Sequence, residues 1–161
     1  MYQKLLSLTR YVSLLLMTGL LALPATYAQD VVDKQVVMVP MRDGVHLATN
    51  LYLPDGEGPW PVVLTRTPYN KDGADRSAAI YNEHGYALVS QDVRGRYASE
   101  GVDLPFENDM PDGYDTVEWI AAQDFSNGRI GIFGTSAPGI TSNLAAAAAP
   151  PHLTAAYVTV A

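Results

Sequence analysis

Apolar residues in this chain fall into two rhythms, and the alternation between them sets the order of elements. Gln35 to Val39 (QVVMV) is a short β-rich run. Val45 to Leu53 (VHLATNLYL) alternates, with Val45, Leu47, Thr49, Leu51 and Leu53 on one face. The two runs flank Arg42-Asp43-Gly44 and read as a β-hairpin at the edge of a sheet. Pro54 to Pro61 (PDGEGPWP) is turn chemistry throughout. Pro61 to Thr65 (PVVLT) is continuously apolar, as in a strand covered on both faces of a mainly parallel sheet. Arg66 to Asp72 reads as a polar loop.

Helical spacing follows from Gly73 to His84, with Gly85 placed as the C-terminal cap. Tyr86 to Asp92 is the next strand, followed by a long loop from Val93 to Asn108. Asp109 to Gln123 predicts a helix with Pro111 in its early turn and Val117, Ile120 and Ala121 as the buried stripe. Ser126-Asn127-Gly128 reads as a turn into a strand containing Ile130, Ile132 and Phe133. Gly139 to Ala149 is expected to be helical, stopped by Pro150-Pro151, with Ala145 to Ala149 packed closely on a sheet. Thr154 to Val160 (TAAYVTV) closes the series as one more strand. This order is that of an α/β protein with a mostly parallel sheet and an antiparallel hairpin at its start. In such a sheet chemistry is expected at the carboxyl ends of the strands. Tyr69, the Arg94 loop and Ser136 all follow strand ends, which allows them to converge.

The first 28 residues stand apart from this pattern. Lys4 and Arg10 precede an apolar stretch from Tyr11 to Leu23, followed by Pro24 and the small-residue sequence Ala25-Thr26-Tyr27-Ala28. A basic start, a short apolar core and a small-x-Ala end predict a secretory signal peptide over 1–28, cleaved after Ala28. The core is shorter than the roughly 20 residues of a membrane span. A periplasmic or secreted protein with no membrane attachment after cleavage is therefore expected, with an uncleaved anchor as the alternative, and residues 29–161 form the folded segment.

Charge and composition narrow the chemistry. Ten Lys and Arg face 17 Asp and Glu, a net charge of −7. That balance argues against a nucleic-acid partner, whose phosphates need a basic surface. With no cysteine, neither a disulfide framework nor a thiolate metal site can form. His46, His84 and His152 lack ligand-like spacing, so neither metal nor cofactor is expected.

The candidate chemistry lies in Arg129 to Pro151 (RIGIFGTSAPGITSNLAAAAAPP). A strand that turns into a helix at a Ser flanked by small residues has the geometry of a nucleophile elbow, which lifts the hydroxyl above the sheet. The helix N-terminus behind Ser136 adds free N–H groups where an oxyanion would form. The spacing is G-T-S-A-P-G rather than G-x-S-x-G. The same glycine-rich turn also fits a phosphate-binding α/β loop, or a tight turn with an incidental Ser.

Five blocks carry a family resemblance: VPMRDGVHLATNLYLP (39–54), RTPYNK (66–71), QDVRGRYASEG (91–101), DGYDTVEWI (112–120) and NGRIGIFGTSAPG (127–139). In that order they resemble the amino-terminal part of the catalytic domain of the cocaine esterase and Xaa-Pro dipeptidyl-peptidase-like α/β-hydrolases. That group includes α-amino acid ester hydrolases and cephalosporin acylases. The resemblance implies an incomplete α/β-hydrolase catalytic domain over 29–161 and a serine hydrolase of acyl esters or amides that works through an acyl-enzyme. Ser136 matches the family nucleophile. Tyr69 matches the tyrosine whose hydroxyl donates to the oxyanion, and the backbone N–H after the nucleophile, here that of Ala137, is the second donor. Preorganised donors of this kind are worth about 3–4 kcal/mol each. The implied partner is a small-molecule ester, an amide or a short peptide.

Two departures qualify the match. The family pattern is G-x-S-Y-x-G, and Ala137-Pro138 here replaces the aromatic residue after the nucleophile. The family's acid and histidine come from much later segments, beyond Ala161. The resemblance therefore implies that these 161 residues lack the triad Asp and His and are close to inactive alone, with an inactive remnant or binding fragment as the alternative. His84 and His152 are expected on the side opposite the strand ends, His46 lies in the hairpin, and none of the three is expected to be the general base. Asp92 and Arg94 read either as an ion-pair or turn network near the site or, for Arg94, as a surface charge.

Overall fold

A computed structural model describes residues 33–161, so the signal-peptide expectation for 1–28 lies outside the described residues. The strands are β1 (Gln35–Pro40), β2 (His46–Tyr52), β3 (Trp60–Thr67), β4 (Ala87–Asp92), β5 (Ser126–Thr135) and β6 (Leu153–Thr159). A 3₁₀ turn (Lys71–Ala74) leads into α1 (Asp75–Glu83), α2 spans Asp109–Ala121 and α3 spans Ala137–Ala147. Among the described residues no helix is long and apolar enough to cross a membrane.

The six strands form one sheet in the order β1-β2-β4-β3-β5-β6. β1 and β2 pair antiparallel, as do β2 and β4, while β4-β3, β3-β5 and β5-β6 are parallel. The expected α/β sheet with an antiparallel hairpin at its start is therefore present. The hairpin is not simply an edge ribbon: β1 is the edge, and β2 lies inside, buried on both faces after His46. The alternation in Val45–Leu53 predicts one covered face, but the polar residues of the other are buried because they have partners. Asn50 Nδ2 donates to the Tyr52 hydroxyl (2.9 Å) and to Asp72 (2.8 Å). On the first face the one polar residue, Thr49, is partnered too, its hydroxyl accepting from Gln91 Nε2 at 3.1 Å.

The core lies where the parallel strands meet α2. Leu64, Val89, Ile130 and Ile132 pack with Val117, Ile120 and Ala145. Gly113 of α2 meets α3 here, and a methyl group added to it would lie 2.4 Å from the Ala145 Cβ. The expected close packing of the alanine run on the sheet holds at Ala145, which shares the core with Leu64, Ile130 and Ile132 and also meets α2. Only Ala145 of the five is buried. Ser126-Asn127-Gly128, read as a turn, is the start of β5, with Ser126 paired to Trp60 and Gly128 at φ 80°. Arg66, placed in a loop by the sequence, lies inside β3.

The 3₁₀ turn is held by charge. Lys34 Nζ reaches Asp72 at 3.2 Å and Asp75 at 2.9 Å, and Lys71 Nζ reaches Asp72 at 3.2 Å. The Asn50 hydrogen bond, aided by those from Lys34 and Lys71, pulls the Asp72 carboxyl down to about 2 although burial opposes them. A carboxyl with a lowered folded-state pKa stabilises fully above its ordinary range near pH 4, and that contribution is lost as the pH falls toward 2. Thermal melts should therefore lose more stability between pH 4 and pH 2 in the wild type than in Asp72→Asn.

Candidate active site at the carboxyl edge of the sheet

β5 delivers the chain to the carboxyl edge of the sheet, and α3 leaves from the same point. Ser136 sits between them at φ 61°, ψ −128°. A non-glycine residue held there carries strain of order 1–3 kcal/mol, so the surrounding structure must over-determine it. Two glycines do so. A methyl group on Gly134 would stand 2.1 Å from the Pro138 carbonyl oxygen, so only glycine lets the strand pass beneath the first turn of α3. Gly139 is nearly as confined, with the Gly134 and Thr159 carbonyl oxygens both 3.2 Å from where its Cβ would be. The departure from G-x-S-x-G spacing thus still supplies glycine on both sides of the bend.

The Ser136 side chain is exposed and bonds to none of the described residues. Its own N–H donates to the Thr159 carbonyl at 3.1 Å, which ties the elbow to the end of β6. Ala137 opens α3, where the first N–H groups of a helix have no intrahelical acceptor. Pro138 offers no N–H, so the Ala137 amide is the donor next to the hydroxyl. Thr141 Oγ1 donates to the Arg66 carbonyl at 2.9 Å and anchors α3 on β3.

β3 is the direct parallel neighbour of β5, with Val63 beside Gly131 and Leu64 beside Ile132. Continuing that register sets Thr67 beside Thr135. Ser136 is then one residue, and Tyr69 two residues, beyond the ends of strands about 4.8 Å apart. The ring of Tyr69 is 62 % exposed, and its N–H donates to the Thr67 hydroxyl at 3.0 Å.

The three histidines are placed elsewhere. His84 follows α1, and its Nδ1 lies 2.8 Å from the Ile80 carbonyl. His152 precedes β6 beside the amino half of β5, its carbonyl accepting the Ile130 N–H, and it pairs with Glu118 at 2.8 Å. Both lie away from the carboxyl edge, as expected. His46 differs: β2 runs antiparallel to β4, so its first residue comes to the same edge as Ser136. There it pairs with Glu100 at 3.1 Å, three strands from β5 and so about 14 Å away.

Behind this edge lies an ion-pair network whose components the sequence left separate. Arg94 donates to Asp112 at 2.6 and 3.0 Å and to Asp43 at 2.7 Å, so it belongs to a network rather than standing as a free surface charge. Arg66, fully buried, donates from Nε to Gln91 at 2.8 Å and from Nη1 to the Asp109 carbonyl at 2.9 Å. Its Nη1 also lies 3.1 Å from the Asp109 carboxylate. Its Nη2 is 3.9 Å from Asp112, too long for a hydrogen bond, and has no other partner. Burial lowers the pKa of Arg66 while the two carboxylates oppose it, and burial raises that of Asp109 while Arg66 opposes it. One signal pointed to Arg66: the acidic residues Asp109 and Asp112, one helical turn apart, offer carboxylates to a cation at the end of an apolar strand.

Among the described residues no group of three or more His, Asp or Glu is placed to hold a metal ion. An open groove of about 460 Å³ lined by Val63, Tyr81, Phe133 and Tyr157 includes none of Ser136, Ala137 or Tyr69. Backbone geometry, rather than depth, marks the site.

Comparison with known proteins bears on this arrangement. The family described as X-Pro dipeptidyl-peptidase (S15 family) matches residues 43–161. The cocaine esterase of Rhodococcus sp. (strain MB1 Bresler) is 49 % identical over 111 residues, which are 65 % of this chain and 19 % of that protein. A solved α-amino acid ester hydrolase aligns with a TM-score of 0.71 at 36 % identity, over 80 % of this chain and 25 % of that one. A CocE/NonD family hydrolase from Staphylococcus aureus aligns with a TM-score of 0.69 at 31 % identity, over 76 % of this chain and 26 % of that one. The chain thus spans about a fifth to a quarter of the length of these relatives.

Proposed function

The chain belongs to the X-Pro dipeptidyl-peptidase (S15) family, and on that premise we propose that it carries the nucleophile and oxyanion hole of a serine hydrolase cleaving acyl ester or amide bonds. The observation that carries this reading is the strained backbone of Ser136, φ 61° and ψ −128°, at a strand-to-helix bend with the hydroxyl exposed. An incidental serine has no reason to occupy that conformation between two glycines. A phosphate-binding loop would aim several consecutive N–H groups at its ligand. Here the Ser136 N–H is already bonded to Thr159 and Pro138 has none.

In the proposed reaction a histidine takes the Ser136 proton as Oγ attacks the substrate carbonyl carbon. The negative charge that develops on the carbonyl oxygen is held by the Tyr69 hydroxyl and the Ala137 N–H. Collapse of the tetrahedral intermediate expels the alcohol or amine, which receives the proton from the histidine. Water then attacks the acyl-enzyme, returns a proton through the same base and frees Ser136. The placement of His46, His84 and His152 supports a base and an acid supplied from residues outside this segment. The substrate is a small ester, an amide or a short peptide. The basic and apolar pattern of residues 1–28 supports export to the periplasm or beyond.

A fluorophosphonate probe tests the reading on the whole protein. Peptide mapping should find the phosphonyl group on Ser136. Modification of a different serine, or none at all, would overturn the assignment.

A further inference from the structure

Tyr69 is given its task by the function proposed above, and the present inference rests on that reading. A donor works only if it is preorganised, yet the Tyr69 ring is 62 % exposed and is not locked by packing. Its position must come from the backbone that carries it. Asn70, the next residue, adopts φ 87°, a region that a non-glycine residue keeps only when its neighbours hold it there.

Both ends of the segment from Thr67 to Lys71 are fastened. At the front, the Thr67 carbonyl accepts the Val93 N–H at 3.1 Å. At the back, the Lys71 N–H donates to Asp92 Oδ1 at 2.7 Å, and the Lys71 carbonyl accepts the Ser90 hydroxyl at 3.0 Å. Arg96 Nε adds a bond to the Pro68 carbonyl at 3.2 Å. Asp92 is the hub. It ends β4 beside Thr67 and is fully buried. Its second oxygen faces the Ala98 N–H at 3.4 Å, and its carbonyl accepts the Ser99 hydroxyl at 2.7 Å.

Burial pushes the Asp92 carboxyl up, while the Lys71 and Ala98 amides pull it back. A buried carboxylate is costly, and a threonine or serine could have capped one amide. A carboxylate has two acceptor oxygens and can fasten two loops at once. We propose that Asp92 is a positioning residue for oxyanion stabilisation: it fixes the Tyr69 loop by holding the Lys71 N–H from the end of β4.

Kinetics of the whole protein on a p-nitrophenyl ester test this with Tyr69→Phe, Asp92→Asn and the double variant. Asparagine keeps the size but has one acceptor oxygen, so it cannot serve both amides. Tyr69→Phe should lower kcat about 10²-fold to 10³-fold. Asp92→Asn should lower kcat about 10-fold to 10²-fold with KM changed less than about 3-fold, as displacement of a reacting group by about an ångström does. In the Tyr69→Phe background, Asp92→Asn should cost less than about 3-fold more, because both changes remove the same donor.

Effects that multiply would overturn the inference, and so would an unchanged kcat in Asp92→Asn beside a strong loss in Tyr69→Phe. A Tyr69→Phe enzyme with normal kcat would instead remove the oxyanion reading itself, and the inference with it. Ser90→Ala deletes only the second fastening of Lys71. If Asp92→Asn does not fold, the same non-additive pattern in Ser90→Ala supports the inference and a multiplicative one ends it.

Discussion

Ser136→Ala in the whole protein should lower kcat by about 10⁶-fold, about 8 kcal/mol of transition-state stabilisation, with little change in KM. The loss is large because nucleophile, base and acid act as a unit, so removal of the hydroxyl idles the other two. What survives is binding plus the oxyanion donors, worth roughly 10³-fold over water. Steady-state hydrolysis of a p-nitrophenyl ester measures it. A variant that keeps more than about one hundredth of the wild-type rate would sink the assignment. A companion variant separates chemistry from folding. Alanine at φ 61° is as strained as serine, whereas glycine adopts that backbone freely. Ser136→Gly should therefore be equally inactive but melt at a higher temperature than Ser136→Ala, by an amount equivalent to about 1–3 kcal/mol. Equal melting temperatures would mean that the bend stores no strain, and the stability–function conflict expected of a nucleophile elbow would be absent.

Much of the site's backbone is legible because a few residue types leave little choice. Ile130, Ile132 and Phe133 followed by Gly134-Thr135-Ser136-Ala137-Pro138 can only be a buried strand turning into a helix, and that is what forms. Gly85 ends a helix at φ 75°, as glycine after a helical run should. What was not legible is what tertiary partners decide. Ser126-Asn127-Gly128 has turn composition, yet pairing with Trp60 draws it into β5 and leaves Gly128 to absorb the irregularity. Tyr69 and Ser136 are 67 residues apart in the chain, and their convergence follows only from β3 and β5 being neighbours. No local pattern states that strand order. His46 reads only as part of a hairpin, and it is the antiparallel pairing of β2 with β4 that brings it to the carboxyl edge. The hub role of Asp92 is hidden for the same reason, since its acceptors face amides from two different loops.

Arg66 is where the fold and the site depend on one side chain. It is the bulkiest fully buried residue of the described chain, three residues before Tyr69, and its carbonyl receives the Thr141 hydroxyl of the elbow helix at 2.9 Å. Truncation to alanine opens a cavity and strands the Asp109 carboxylate, which is only 9 % exposed. Asp112 still has Arg94; Asp109 has no second cation among the described ion pairs. Breaking a buried pair by removing one partner costs about 3–5 kcal/mol, because the remaining charge is left uncompensated. Arg66→Ala should lose that much in urea unfolding, and the loss should depend on pH with a definite sign. Asp109 already has a pKa raised by burial, and without the guanidinium that opposes burial it rises further. A carboxyl whose folded-state pKa lies above its unfolded value weakens the fold at high pH. It recovers stability as the pH falls through the folded value toward the unfolded one. The gap between Arg66→Ala and wild type should thus narrow on acidification from pH 7 toward pH 4. Arg66→Ala/Asp109→Asn should narrow it at pH 7 as well, by removing the stranded charge. A gap independent of pH, and untouched by Asp109→Asn, would mean that Arg66 acts through its volume rather than its charge.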